Sequence, residues 1–202
     1  MTPVDTGTEV LIERAQSSDG GARAALSELL SRLYPKLMAY LLGLAGDKET
    51  AEDACQEAMA RIVTHLMSFK TRSPADPWAS FQAWCFTIAG NAFKDHLRKS
   101  SRVTLVADIP EGARGVFDPV GSDGQSQAAE NQAVSDMGVE SLGAALATLP
   151  VEQRQVFLLK SYYGYTYADI ARIVGCPEGT AKSRLHHAVR ALRDELKGSG
   201  SL

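Results

Sequence analysis

The sequence predicts an all-α protein: two helical domains joined by a flexible acidic linker, the C-terminal domain being a helix-turn-helix. Three observations carry that prediction. Apolar residues recur at helical spacing from Ala22 to Lys99, with no βαβ pattern among them. Residues 103–148 then hold one cation against seven anions, a net of −6, and the six glycines and prolines from Pro110 to Gly124 exclude regular structure from their first half. Residues 149–196 divide into three helical segments around a Gly-Cys-Pro turn. The expected divisions are an N-terminal extension (1–21), a helical domain (22–102), the linker (103–148), a second helical domain (149–197) and a tail (198–202).

Taken in order, residues 1–8 are polar, and a short helix is predicted from Glu9 to Gln16, broken by Ser17-Ser18-Asp19-Gly20-Gly21. A long helix follows from Ala22 to about Ala45, its stripe made by Leu26, Leu29, Leu30, Leu33, Leu37, Tyr40, Leu41 and Leu44. Pro35 lies inside it and is expected to kink or divide it. Gly46-Asp47 ends this helix and caps the next, Lys48 to about Phe69. The apolar face there is Ala51, Ala54, Cys55, Ala58, Met59, Ile62, Val63 and Leu66. The opposite face carries Glu49, Glu52, Asp53, Gln56, Glu57 and Arg61. Acids in a first turn complement the helix dipole, which accounts for Glu49 and Glu52 but less well for Asp53, Gln56 and Glu57.

Thr71 to Ala79, with Pro74 and Pro77, reads as a loop. A helix from about Ser80 to Lys99 then puts Phe81, Trp84, Cys85, Ile88, Ala89, Ala92, Phe93 and Leu97 on one side. Asn91, Lys94, Asp95, His96, Arg98 and Lys99 lie around the other. Trp84 and Phe93 are expected in the core, as aromatic residues at helical spacing usually are. Ser135 to Thr148 can be helical.

In the last domain, Leu149-Pro150 opens a helix in which Val156, Phe157, Leu159 and Lys160 fall at helical spacing. Gly164 stops it. The Thr166-x-x-Asp169 spacing caps a short helix, Tyr167 to Val174, with Ile170, Ala171 and Val174 apolar. Pro177 pushes Cys176 out of helical geometry, Gly175 tolerates a left-handed cap, and a third helix starts near Gly179-Thr180. Its inward side is Ala181, Leu185, Ala188 and Leu192. Its other residues suit DNA: Arg and Lys for guanine and phosphate, with small hydroxyl residues that let the backbone approach. Glu178, Thr180, Lys182, Ser183, Arg184, His187 and Arg190 supply that set as the candidate DNA-binding residues.

The net charge of −3 argues against a protein that simply coats nucleic acid, but the distribution overrides it. Residues 149–202 carry a net of +3 and residues 70–102 a net of +4, flanking the acidic linker. Cys55, Cys85 and Cys176 are far apart, which predicts a reducing cytoplasm and no disulfide framework. Adjacent His186 and His187 point about 100° apart on a helix, a poor metal pair. No phosphate-binding glycine loop, nucleophile–base constellation or metal spacing is present, so no cofactor, no metal and no covalent chemistry are expected. The longest apolar stretch, around Leu37 to Ala45, is too short to span a membrane.

The segment from Leu149 resembles region 4 of the extracytoplasmic-function (ECF) sigma factors, promoter-recognition subunits of bacterial RNA polymerase. The matching residues are Leu149-Pro150, Gln153-Arg154, Gly164, Tyr167, Ile170-Ala171, Gly175, Pro177, Gly179-Thr180, Lys182 to His186, and Leu192. A second match stands upstream in the right order: Ala51-Glu52-Asp53, Gln56-Glu57 and Arg61 resemble the region 2 signature of the same family. Phe81-x-x-Trp84, Ile88-Ala89-x-Asn91 and Asp95-x-x-Arg98 resemble its promoter-melting part, with Gly90 where the family usually has Arg.

The resemblance implies that Asp53, Gln56, Glu57 and Arg61 bind the beta and beta-prime subunits of core RNA polymerase. It also implies that the loop Phe69–Ser80 and Asn91 take an extruded base of the minus-ten element, with Lys94, Arg98, Lys99 and Arg102 on the backbone. The helix-turn-helix, with Tyr167 and Gly179 joining its DNA-binding set, would read the minus-thirty-five element of promoter DNA, and an anti-sigma factor is the expected partner. The acidic linker is open to two readings, a solubilising tether or a segment threading toward the polymerase active site. Two rivals also stand: a stand-alone helix-turn-helix regulator of the LuxR type, which needs a sensory or receiver domain, and a decoy that titrates an anti-sigma factor.

Overall fold

The computed structural model describes residues 6–72, 76–104 and 145–198. These are helical, with no strand among the described residues, and the chain divides into two compact units, Met1–Phe93 and Lys94–Leu202. A receiver-type βαβ domain of the kind the LuxR-type reading needs is therefore not found among the described residues ahead of the helix-turn-helix. No helix among them is long and apolar enough to cross a membrane.

The first unit begins with α1 (Thr6–Ala15), which packs on α2 (Ala22–Ala45) through buried Thr8, Ile12 and Ala15. These three share one helical face. The segment expected as an extension thus contributes to the core. Gln16, just beyond α1, donates from Nε2 to the carbonyls of Leu66 and Phe69, each at 2.8 Å, and so serves backbone acceptors at the far end of the next hairpin.

Helix α2 buries Ala25, Leu29, Leu33, Leu37, Tyr40, Leu41 and Leu44 and runs through Pro35 as one element. Pro35 sits on the exposed side, where water can serve the carbonyl that loses its donor, and division of the helix is avoided. Gly46 closes α2 in the left-handed region at φ 81°, which a side chain would strain. Asp47 accepts from the Thr50 N–H at 2.8 Å and starts α3 (Lys48–His65).

Helix α3 stops earlier than its apolar pattern predicts, because a 3-10 turn, Leu66–Ser68, takes over. Met59 is half-buried and Val63 is exposed, so the apolar face is narrower than expected. Helix α4 (Pro77–Thr104) starts inside the expected loop. Pro77 occupies its first position, where the missing N–H costs nothing, and Asp76 accepts from the Ala79 N–H at 2.8 Å. Phe81, Cys85, Phe86, Ala89, Ala92 and Phe93 are buried, and the Tyr40 and Phe86 rings meet at 4.8 Å. Trp84, expected in the core, is half-buried against Phe69 at 5.1 Å between ring centroids.

In the second unit, residues 145–148 are helical, and the rest of the expected linker from residue 105 lies outside the described residues. Then come α5 (Val151–Ser161), α6 (Tyr167–Val174) and α7 (Glu178–Gly198). Gly198, expected in the tail, is still helical, while residues 199–202 lie outside the described residues. Buried Arg154 donates to Ala147 O at 2.8 Å and Leu149 O at 2.9 Å, fixing the entry to α5. Thr166 accepts from the Asp169 N–H at 3.2 Å to cap α6, as its spacing predicts. Gly175, at φ 73°, ends α6, and both its N–H and that of Cys176 donate to Ala171 O at 2.9 Å. Helix α7 buries Ala181, Leu185, Ala188 and Leu192 as expected, and also Val189.

Candidate nucleic-acid interface

Helix α7, entered through the turn at residues 175–177, exposes Glu178, Gly179, Lys182, Ser183, His187 and Arg190 to solvent. Thr180 and Arg184 are half-buried on the same helix. Burial of the Ala181/Leu185/Ala188/Leu192 stripe orients α7 so that its polar residues face outward. Exposed ion pairs within the helix, Lys182–Glu178 at 3.0 Å and Arg190–Asp194 at 4.0 Å, order the long side chains more than they stabilise the fold. The His186 and His187 ring centroids lie 5.9 Å apart, edge to face, and no metal-holding cluster occurs among the described residues.

Tyr167, the first residue of α6, is half-buried, and two ammonium groups lie over its ring. Lys160 Nζ is 4.9 Å from the centroid and Lys182 Nζ is 5.5 Å from it. Lys160 Nζ also donates to Tyr165 O at 3.3 Å. Lys160 is absent from the sequence-predicted set because its partner lies across a turn, beyond any periodic signal.

On the first unit, Asp53, Gln56 and Glu57 are exposed together on α3, as their spacing predicts. Arg61 is half-buried and donates to Glu57 at 2.8 Å, so only part of that acidic face is neutralised internally. Beside it, Tyr34, Glu52, Cys55, Gln56 and Met59 line an open cavity of about 320 Å³. Tyr34, on α2, is 48% exposed and went unread in the sequence, since its register lies outside the leucine stripe.

On α4, Asn91, Arg98 and Lys99 are exposed and Lys94 is half-buried. Arg98 pairs with Asp95 at 2.7 Å. Gly90 is buried within the unbroken helix. The backbone of Arg102 belongs to α4, but its side chain lies outside the described residues, as do residues 73–75 of the expected base-pocket loop.

The family model described as Sigma-70 region 2 matches residues 29–103, and that described as Sigma-70, region 4 matches residues 139–192. The chain is 38% identical to the ECF RNA polymerase sigma factor SigL of Mycobacterium tuberculosis over 89% of its own length and 96% of that protein. It is 32% identical to the ECF sigma factor EcfG of Rhodopseudomonas palustris, over 76% of this chain and 75% of the other. Among solved structures, the sigma factor RpoE in complex with the anti-sigma factor NepR from Bartonella quintana matches with a TM-score of 0.63 and 27% identity. That match covers 85% of this chain and 96% of the other.

Proposed function

Because this chain belongs to the ECF sigma factors of bacterial RNA polymerase, we propose that it binds core enzyme through α3 and reads promoter DNA through α4 and α7. The observation that carries this division is the pair of separate polar faces. An acidic one, Asp53/Gln56/Glu57, lies on the first unit, and a cationic one, Lys182/Arg184/Arg190, lies on the second. Arg61, held by Glu57, joins the core-binding face.

In this reading α7 enters the major groove of the minus-thirty-five element. Lys182, Arg184 and Arg190 contact phosphates or guanine, Ser183, Thr180 and Gly179 allow close backbone approach, and Glu178 accepts from a cytosine amine. His187 and Tyr167 lie on the flanks of the same contact. Asn91 hydrogen-bonds an extruded base of the minus-ten element, since its amide offers both donor and acceptor, while Lys94, Arg98, Lys99 and Arg102 hold the single strand. The protein performs no covalent step of its own; nucleotide addition belongs to the polymerase. It works in the cytoplasm, and an anti-sigma factor restrains it there, as suggested by the related RpoE in its complex with NepR.

Co-purification with core RNA polymerase tests the reading. Wild type should co-elute with core enzyme, and Asp53→Arg should abolish that while leaving the melting temperature unchanged. Equal retention of the variant would remove α3 from the docking surface.

A further inference from the structure

Tyr167 lies where three helices meet. Lys160 comes from the last turn of α5, Tyr167 opens α6 and Lys182 stands one turn into α7, yet both ammonium groups sit over the one ring, at 4.9 and 5.5 Å from its centroid. Each lysine has a second anchor: the Tyr165 carbonyl at 3.3 Å for Lys160 and the Glu178 carboxylate at 3.0 Å for Lys182. Two like charges near one ring repel each other. The negative face of the ring, a carbonyl and a carboxylate offset that repulsion, and an approaching anion would remove it. A lysine stem carries large rotamer entropy, so ammonium groups already gathered on a ring lose less freedom when they meet a phosphate.

Resting on the promoter-binding reading above, we infer that Tyr167 is a positioning residue whose ring face holds Lys160 and Lys182 ready for the phosphate backbone of duplex DNA. This adds Lys160, from the helix ahead of the helix-turn-helix, to the phosphate-contacting surface. The ring, not the hydroxyl, carries this positioning.

The test uses the full-length chain bound to core polymerase and a short duplex recovered by selection on that complex. Tyr167→Phe, which keeps the ring, should retain more affinity than Tyr167→Leu. Tyr167→Leu should lose roughly two- to fivefold in affinity, the size expected of an exposed cation–π contact. In a Lys160→Ala/Lys182→Ala background the same Tyr167→Leu change should cost nothing further, because the groups it positions are gone. A loss that persists in that background, or a loss in Tyr167→Phe as large as that in Tyr167→Leu, would overturn the inference by placing the effect in the fold or in the hydroxyl. Circular dichroism of each variant separates an unfolded protein from a weakened one, and Tyr167→Met, which also removes the ring but keeps a long apolar side chain, stands in if Tyr167→Leu does not fold. Failure of wild type to select any duplex would instead reject the promoter-binding reading itself.

Discussion

Arg154 donates to the carbonyl of Leu149 at 2.9 Å from the same nitrogen that reaches Ala147 O at 2.8 Å. This arginine, a residue only 7% exposed, thereby closes the turn leading into α5, and its burial lowers its pKa from the ordinary value. Arg154 belongs to the string that resembles the family, but its work here is structural and internal. Replacing it with Ala should destabilise the second unit by about 1–3 kcal/mol, because the carbonyl of buried Leu149 loses its donor, as does the more exposed one of Ala147. Urea denaturation measures this. Unchanged stability with weakened duplex binding would make Arg154 a contact residue instead.

Arg184 is half-buried at the outward edge of α7. Arg184→Ala should leave core-polymerase binding intact and weaken binding of the upstream element by about 1–3 kcal/mol, the range of one base-reading side chain. Affinity measurements against core enzyme and duplex, made side by side, check both halves. A parallel fall in core binding would contradict the division of labour.

Pro35 interrupts the hydrogen-bond ladder of α2 on its solvent side. Pro35→Ala restores one backbone donor in an exposed position and should raise stability by about 1–3 kcal/mol, with thermal unfolding as the readout. A neutral or negative shift would mean that the local geometry around Pro35 is needed for packing against the rest of the unit.

Tyr163 precedes α6, and burial pushes its phenol up to about 12 from an ordinary 10. Burial raises Tyr162 in the same direction. A folded-state pKa above the unfolded one gives stability that is complete below pH 10 and is lost as pH rises toward 12. The urea midpoint should therefore fall over that interval, and less steeply in Tyr163→Phe. An equally steep fall in the variant would place the titration elsewhere.

The second unit was the more legible part of the sequence, since local devices build it. The Thr166 cap, the left-handed Gly175 and the break at Pro177 each act within a few residues. The buried face of α7 followed from periodicity, apart from Val189, which widens the stripe. What the sequence hid depends on contacts between distant segments. The early start of α4 rests on Pro77 filling a first-turn position that reads equally well as loop. Tyr34 and Met59 line their cavity only because α2 and α3 pack side by side. Lys160 and Lys182 find Tyr167 across two turns, which no spacing rule reaches.

The two carbonyls served by Gln16 have a practical consequence for anyone exchanging modules between relatives. A graft joined at Ala22 would look clean in sequence, yet it would strip a helix from one flank of the bundle and leave the acceptors of Leu66 and Phe69 to water. The transferable piece begins no later than Thr6, and its seam lies upstream of Thr8, the first buried side chain among the described residues.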